Sequence, residues 1–193
     1  MDEIYEVGKL LLKLPPTTGN RVGLFALTGG HATEMTNIFS KAGFNVTPFT
    51  DQTYQRILEH FDPVGSSYMN PLEGRGLGNP ASNPLSMNNA LEAVSEDPNV
   101  DIIVHEMQVR EAEGGKATVY RNFPVSFFVD FYKNRCTKPY VVVLSTVLPR
   151  AEQGITDQVY KELTDAGIPV AFGLQTAAGA LRTAVDYYRY QTE

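Results

Sequence analysis

Tryptophan is absent from this chain, cysteine occurs once, at position 136, and histidine occurs three times, at 31, 60 and 105. A lone thiol excludes an intramolecular disulfide framework, so an apolar core must hold the fold. Cys136 ends the run FFVDFYKNRC with no histidine or second cysteine nearby in sequence, the setting of a half-buried core thiol and not of a nucleophile. No two histidines stand at metal-ligand spacing, which argues against a zinc site. Runs of Lys or Arg are missing and the formal net charge is -6, so nucleic acid, which needs clustered cations, is not an expected partner. The opening MDEIYEVGKLLLKL is broken by charges and is neither a signal peptide nor a membrane span, so the expectation is a cytoplasmic protein with no membrane partner.

What is present fits one α/β domain with an N-terminal extension: 193 residues, 42% of them hydrophobic. Residues 2–14 carry Ile4, Leu10, Leu11 and Leu14 on a helical stripe that Pro15-Pro16 ends. From Arg21 onward strands and helices alternate. Strands are expected over 22–27, 44–49, 102–107, 140–144 and 168–172, with a further short one at Ser67-Tyr68-Met69. Helices are expected over 32–42 with Gly43 as its stop, after a Thr50 cap, over 86–95, 124–135, 151–166 with Gly167 as its stop, and 176–190. Residues 63–86 form a long irregular stretch, and 111–122 a loop or hairpin-like excursion. Repeated strand–helix units imply a mainly parallel sheet with helices on both faces. Ligands of such sheets gather at the carboxyl ends of the strands, which singles out residues 28–33, 69–74, 106–110, 145–150 and 173–176.

The first candidate site is Thr28, Gly29, Gly30, His31, Ala32 and Thr33, between the first strand and its helix. Glycines there leave the backbone open, and the free N–H groups of a first helical turn favour an anion such as a phosphate or a phosphorylated side chain. The motif is neither a P-loop nor the dinucleotide fingerprint, and a tight turn without ligand has an equal claim on it. His31 is better read as a docking residue than a catalytic one, since Glu34 is the one evident carboxylate partner in sequence. A second group is Asn70, Pro71 and Glu73, with Gln108 beyond the central strand; Asx-turn chemistry is the plain alternative for Asn70. Glu106 ends that strand and is available as a base, without any spacing that demands it. No catalytic residue and no metal ligand is assigned.

The stretch GNRVGLFALTGGHATEMTNIFSKAGFNVTPFT resembles the opening of the succinyl-CoA-ligase-like flavodoxin domain of NDP-forming (chiefly ADP-forming) acyl-CoA synthetases. So do SSYMNPLEG, where that family favours Asn-Pro-Val-Asp, NNALEAVSEDPNVDIIV, and LTDAGIPVAFGLQTAAGAL. The resemblance runs from Asn20 to near the end, which divides the chain into a linker helix and turn (1–19) and a flavodoxin domain (20–193). It implies a flavodoxin-like three-layer α/β fold. It also implies a part in an acid–thiol ligase that forms acyl-CoA through acyl phosphate and phosphohistidine intermediates. In that family the phosphohistidine, CoA-binding and ATP-grasp domains are separate, so they are the implied partners, in cis or in trans, with a homo-oligomer as a further option. CoA and ATP/ADP with Mg would serve the complete enzyme, with no cofactor bound tightly by this chain. Gly29 and Gly30, with Asn70 and Pro71, match the family directly; Glu73 stands for its Asp.

Three departures stand out. His31 replaces the small residue usual after the glycine pair. Residues 79–85 lengthen the loop, and REAEGGKATVYRN follows Gln108 where a glycine-led helix start would be expected. They leave a second reading open: a non-catalytic domain of this fold that binds a small anion or a partner protein. A stand-alone flavodoxin-like redox protein or response regulator lacks its phosphate loop or acidic pocket.

Overall fold

The computed structural model describes residues 2–111, 117–119, 123–145 and 153–192. Helix α1 (Asp2–Lys13) precedes β1 (Val22–Ala26), α2 (Gly29–Lys41), α3 (Asp51–Leu58), β2 (Leu72–Glu73) and α4 (Ser86–Glu96). Then come β3 (Ile102–Met107), the short strands β4 (Val109–Glu111), β5 (Ala117–Val119) and β6 (Phe123–Pro124), and α5 (Val125–Asn134). The chain ends with β7 (Tyr140–Leu144), α6 (Gln153–Asp165), β8 (Val170–Phe172) and α7 (Leu174–Thr192).

The main sheet has the parallel order β2-β1-β3-β7-β8, which is flavodoxin-like. Strand side chains alternate between faces, and each face here is apolar. Val22, Leu24, Ile102, Val104, Val141 and Val143 meet one cluster with α1, α2 and α7. Phe25, Ile103, Met107, Tyr140, Val142 and Leu144 meet the other, with α3 to α6. The helix stops expected at Gly43 and Gly167 hold positive φ angles of 90° and 91°, a conformation glycine adopts without strain. Thr50 caps α3 as expected, accepting from the Thr53 N–H at 3.3 Å. Helix α1 is packed onto the domain: Leu10 and Leu14 are buried in the cluster that holds α7.

Several boundaries differ from the sequence reading. Residues 44–49 do not form a strand; Asn45 makes one isolated bridge to Arg21. The edge of β1 that such a strand would occupy is filled by one side chain. Asn70 Oδ1 accepts from the Leu24 N–H at 2.9 Å, and its Nδ2 donates to the Val22 and Thr47 carbonyls at 2.8 Å each. The second strand therefore joins further along, at Leu72–Glu73 and not at 67–69. Helix α2 starts at Gly29, three residues early, and α7 at Leu174. The excursion after β3 is a small antiparallel sheet, β4-β5-β6. The expected loop over 146–150, the first two residues of the expected helix 151–166, and positions 112–116 and 120–122 lie outside the described residues. No described helix is long and apolar enough to cross a membrane.

Candidate functional site

The first turn of α2 stands at the carboxyl end of β1, beside the point where the strand order reverses between β1 and β3. Thr28 is extended (φ -149°, ψ 169°) and its side chain makes no capping bond. The first backbone bond of the helix runs from the Ala32 N–H to the Thr28 carbonyl, at 2.8 Å. The N–H groups of Gly29, Gly30 and His31 precede that bond and find no acceptor among the described residues. They carry the positive end of a 13-residue helix.

This turn separates two cavities. The larger, about 730 Å³, is lined by Gly29, Ala32, Thr33, Thr36, Asn37 and Lys41 of α2, facing Ser67, Asn70, Pro71 and Glu73. It runs the length of the helix, about 18 Å at the usual rise per residue. Both groups of candidates, far apart in sequence, thus partly converge: Gly29, Ala32 and Thr33 share a wall with Asn70, Pro71 and Glu73. Gln108 is not part of that lining, and Thr28 and Gly30 shape the turn without lining it. Glu73 stands over the first turn, so that a Cβ at position 29 would lie 3.1 Å from its Oε1. A side chain at 29 would make that carboxylate give by a few tenths of an ångström, and Glu73 already complements part of the helix dipole.

Asn70 has both ends of its amide engaged by backbone, so it braces the cavity wall and does not offer itself to a ligand. Beyond Thr33, the polar face of α2 at Thr36, Asn37, Ser40 and Lys41 was missed from the sequence. Its signal is the recurrence of polar residues at three- and four-residue steps.

His31 lines the smaller cavity, about 290 Å³, on the other side of the turn. Glu34 and Glu106 share it with Ser145, at the end of β7, and with Gly173, Gln175 and Thr176 at the start of α7. The carboxyl-edge rule had marked four of the loops that meet here, those of His31, Glu106, Ser145 and Gly173. The partner of His31 is Glu106 and not Glu34. His31 Nδ1 lies 2.5 Å from Glu106 Oε1, while Oε2 accepts from the Leu27 N–H at 3.2 Å. Glu106 is wholly buried, and the His31 side chain is 42% exposed. His105, on the same strand, is a core residue: burial lowers its pKa to about 3, and its Nδ1 meets the Tyr140 hydroxyl at 2.8 Å. Burial pushes the Cys136 thiol up, against bonds to the Lys138 carbonyl and Ser95, as befits an unreactive half-buried thiol. No cluster able to hold a metal ion occurs among the described residues.

Neither a family model nor a curated protein matches the chain. Solved structures do. The Pyrococcus horikoshii OT3 protein PH0766 is 16% identical over 98% of this chain and 40% of its own, with a TM-score of 0.77. The dinucleotide-forming acetyl-coenzyme A synthetase 1 of Ca. Korarchaeum cryptofilum, in complex with phosphate and ADP, is 18% identical over 98% of this chain, at a TM-score of 0.73. Its apo form is 16% identical over the full chain, at 0.69. The chain shares their fold. It spans 37% and 40% of the two synthetase chains.

Proposed function

We propose that the chain is the flavodoxin-like domain of an ADP-forming acyl-CoA synthetase, and that its larger cavity receives the phosphohistidine segment or acyl phosphate presented by partner domains. The observation that carries this reading is the set of uncommitted amides at Gly29, Gly30 and His31, at the mouth of a groove as long as α2. Amides fixed by a helix can meet phosphoryl oxygens without reorganising, and the helix dipole favours the charge. The groove's length suits a peptide segment bearing the phosphoryl group better than a free ion. Lys41, at its far end, adds a cation for an acidic segment. The likeness to a synthetase solved in complex with phosphate and ADP supports the same reading, as does the fraction of that chain which this one spans. CoA, ATP and Mg belong to the sister domains, and the complete enzyme works in the cytoplasm.

Glu73 favours the second reading, a non-catalytic domain that binds a partner protein through this groove, because its carboxylate faces any arriving anion. Amide NMR of the chain titrated with inorganic phosphate separates the two. Saturable shifts centred on Gly29, Gly30 and His31, tightened by Glu73→Gln and lost in Gly30→Asp, support phosphoryl docking. Shifts spread evenly over the surface, or none, overturn it in favour of the interaction domain.

A further inference from the structure

The smaller cavity contains a pair of side chains that the docking role leaves unused. Glu106 ends the central strand, is wholly buried, and accepts hydrogen bonds at both oxygens, from Leu27 N–H and His31 Nδ1. A carboxylate accepts and does not donate, so this arrangement puts a ring proton on Nδ1, and in the neutral imidazole the lone pair is then on Nε2. With Nδ1 held by Glu106, Nε2 is the ring nitrogen left for a ligand of the cavity that the half-exposed His31 lines. A buried carboxylate that fixes the tautomer and orientation of an imidazole is the device by which a histidine is prepared to take a proton.

We propose that His31 and Glu106 form a proton-accepting dyad serving the cavity between α2 and α7, whose ligand is a neutral group that gives its proton to His31 Nε2. The walls select the charge of that ligand. Glu34 and Glu106 are both in the lining, and His31 is the sole basic side chain among the described lining residues, so an anion meets net repulsion from them. Ser145, Gln175 and Thr176 supply neutral hydrogen-bonding groups to position it. In the transfer, the ligand's bond to hydrogen breaks, its electron pair stays with the ligand, and a new N–H bond forms at Nε2. The imidazolium so formed keeps its Nδ1–H on Glu106, whose charge offsets it. The position is the reversal point of the strand order, where parallel sheets of this kind place their ligands. The dyad does not depend on phosphoryl docking in the other cavity, and a Cβ at position 30 would meet nothing closer than Thr28 Oγ1, at 3.9 Å.

Nitrogen-15 NMR of the histidine rings at mildly alkaline pH reads the tautomer in the wild-type chain. The expected result is Nδ1–H at His31; an Nε2–H tautomer or a ring that stays doubly protonated overturns the proposal. Carbethoxylation by diethylpyrocarbonate, mapped by mass spectrometry, then reads the lone pair. His31 is expected to react before His60, and Glu106→Gln to slow it by about tenfold or more, the scale on which loss of an orienting partner acts. Far-UV circular dichroism establishes that this variant is folded, and an equal rate in a folded Glu106→Gln overturns the dyad. Alkylation by iodoacetamide should outpace iodoacetate at His31, with Glu34→Gln narrowing the gap. The reverse order overturns the assignment of a neutral ligand.

Discussion

His31 Nδ1 and Glu106 Oε1 lie 2.5 Å apart, joining the first turn of α2 to the end of β3 across 75 positions of sequence. The contact fixes the helix start over the sheet edge from one side, as the Leu27 N–H to Glu106 bond does from beneath. Its removal should be asymmetric. His31→Ala leaves a buried carboxylate with one backbone donor, and should cost about 1–3 kcal/mol, the usual penalty of an unsatisfied buried group. His31→Ala combined with Glu106→Leu removes the uncompensated charge and should recover part of that loss. Urea unfolding of both variants measures it; a double variant less stable than the single one would contradict the account.

Asn70 offers a second test. Its amide replaces a strand partner for β1, so Asn70→Ala should cost about 2–3 kcal/mol through stranded Leu24 N–H, Val22 and Thr47 groups. Asn70→Asp should be worse than alanine, since it turns a donor that served two carbonyls into a negative acceptor facing them. The denaturant midpoints rank these variants, and equal stability of Asn70→Asp and wild type would refute the bracing role.

How much of this was legible beforehand depends on whether the cause was local. Ile102–Met107 stands where expected because an apolar run bounded by turns specifies a doubly buried strand by itself. Gly43 and Gly167 were equally readable as stops. Residues 44–49 were not, because an alternating pattern reports burial and says nothing about which edge is already taken; Asn70 had taken it from 48 residues away in sequence. The glycine turn was recognised as a site, yet its division between two cavities follows from the packing of α2, and Glu106 as the partner of His31 needs the register of β1 on β3. Sequence proximity offered Glu34 instead.

Acid should expose His105. Its pKa falls from 6.5 to about 3 in the folded state, because burial penalises the charged ring. Below pH 6.5 the unfolded chain binds a proton there that the folded chain refuses until about pH 3. The unfolded state thus holds more protons throughout that window, so stability rises with pH across it and falls on acidification, by at most about 1.4 kcal/mol per pH unit. His105→Gln cannot titrate and keeps a polar end near the Tyr140 hydroxyl, so its stability should be flatter between pH 6.5 and 4.5 in urea titrations. The depressed carboxylates do not confuse the comparison. Asp97, where hydrogen bonds from Thr53, Thr50 and Asn99 outweigh the raising effect of burial, and Asp101, held down by Arg21, lose their contribution only as pH falls below the ordinary carboxylate range.

Lys9 attaches α1 to the domain and tests whether that helix is integral to it. Its ammonium lies 5.0 Å from the Tyr5 ring centroid and 5.2 Å from those of Tyr160 and Phe172, with Glu6 Oε1 at 2.7 Å. Tyr160 belongs to α6 and Phe172 to β8, so one cation ties α1 to two other elements. The Lys9 side chain is 14% exposed and that of Glu6 8%, and desolvation strengthens the attraction of a cation to ring faces. Lys9→Met keeps most of the apolar stem but leaves Glu6 without its counter-charge, and should cost about 1–2 kcal/mol. Glu6→Gln with Lys9→Met should recover some of this. If α1 is integral, Lys9→Met lowers the stability of the whole chain in one transition, because Leu10 and Leu14 share a core with α7. A separate early transition, with amide exchange accelerated in α1 alone, would show that the helix is held on independently of the sheet.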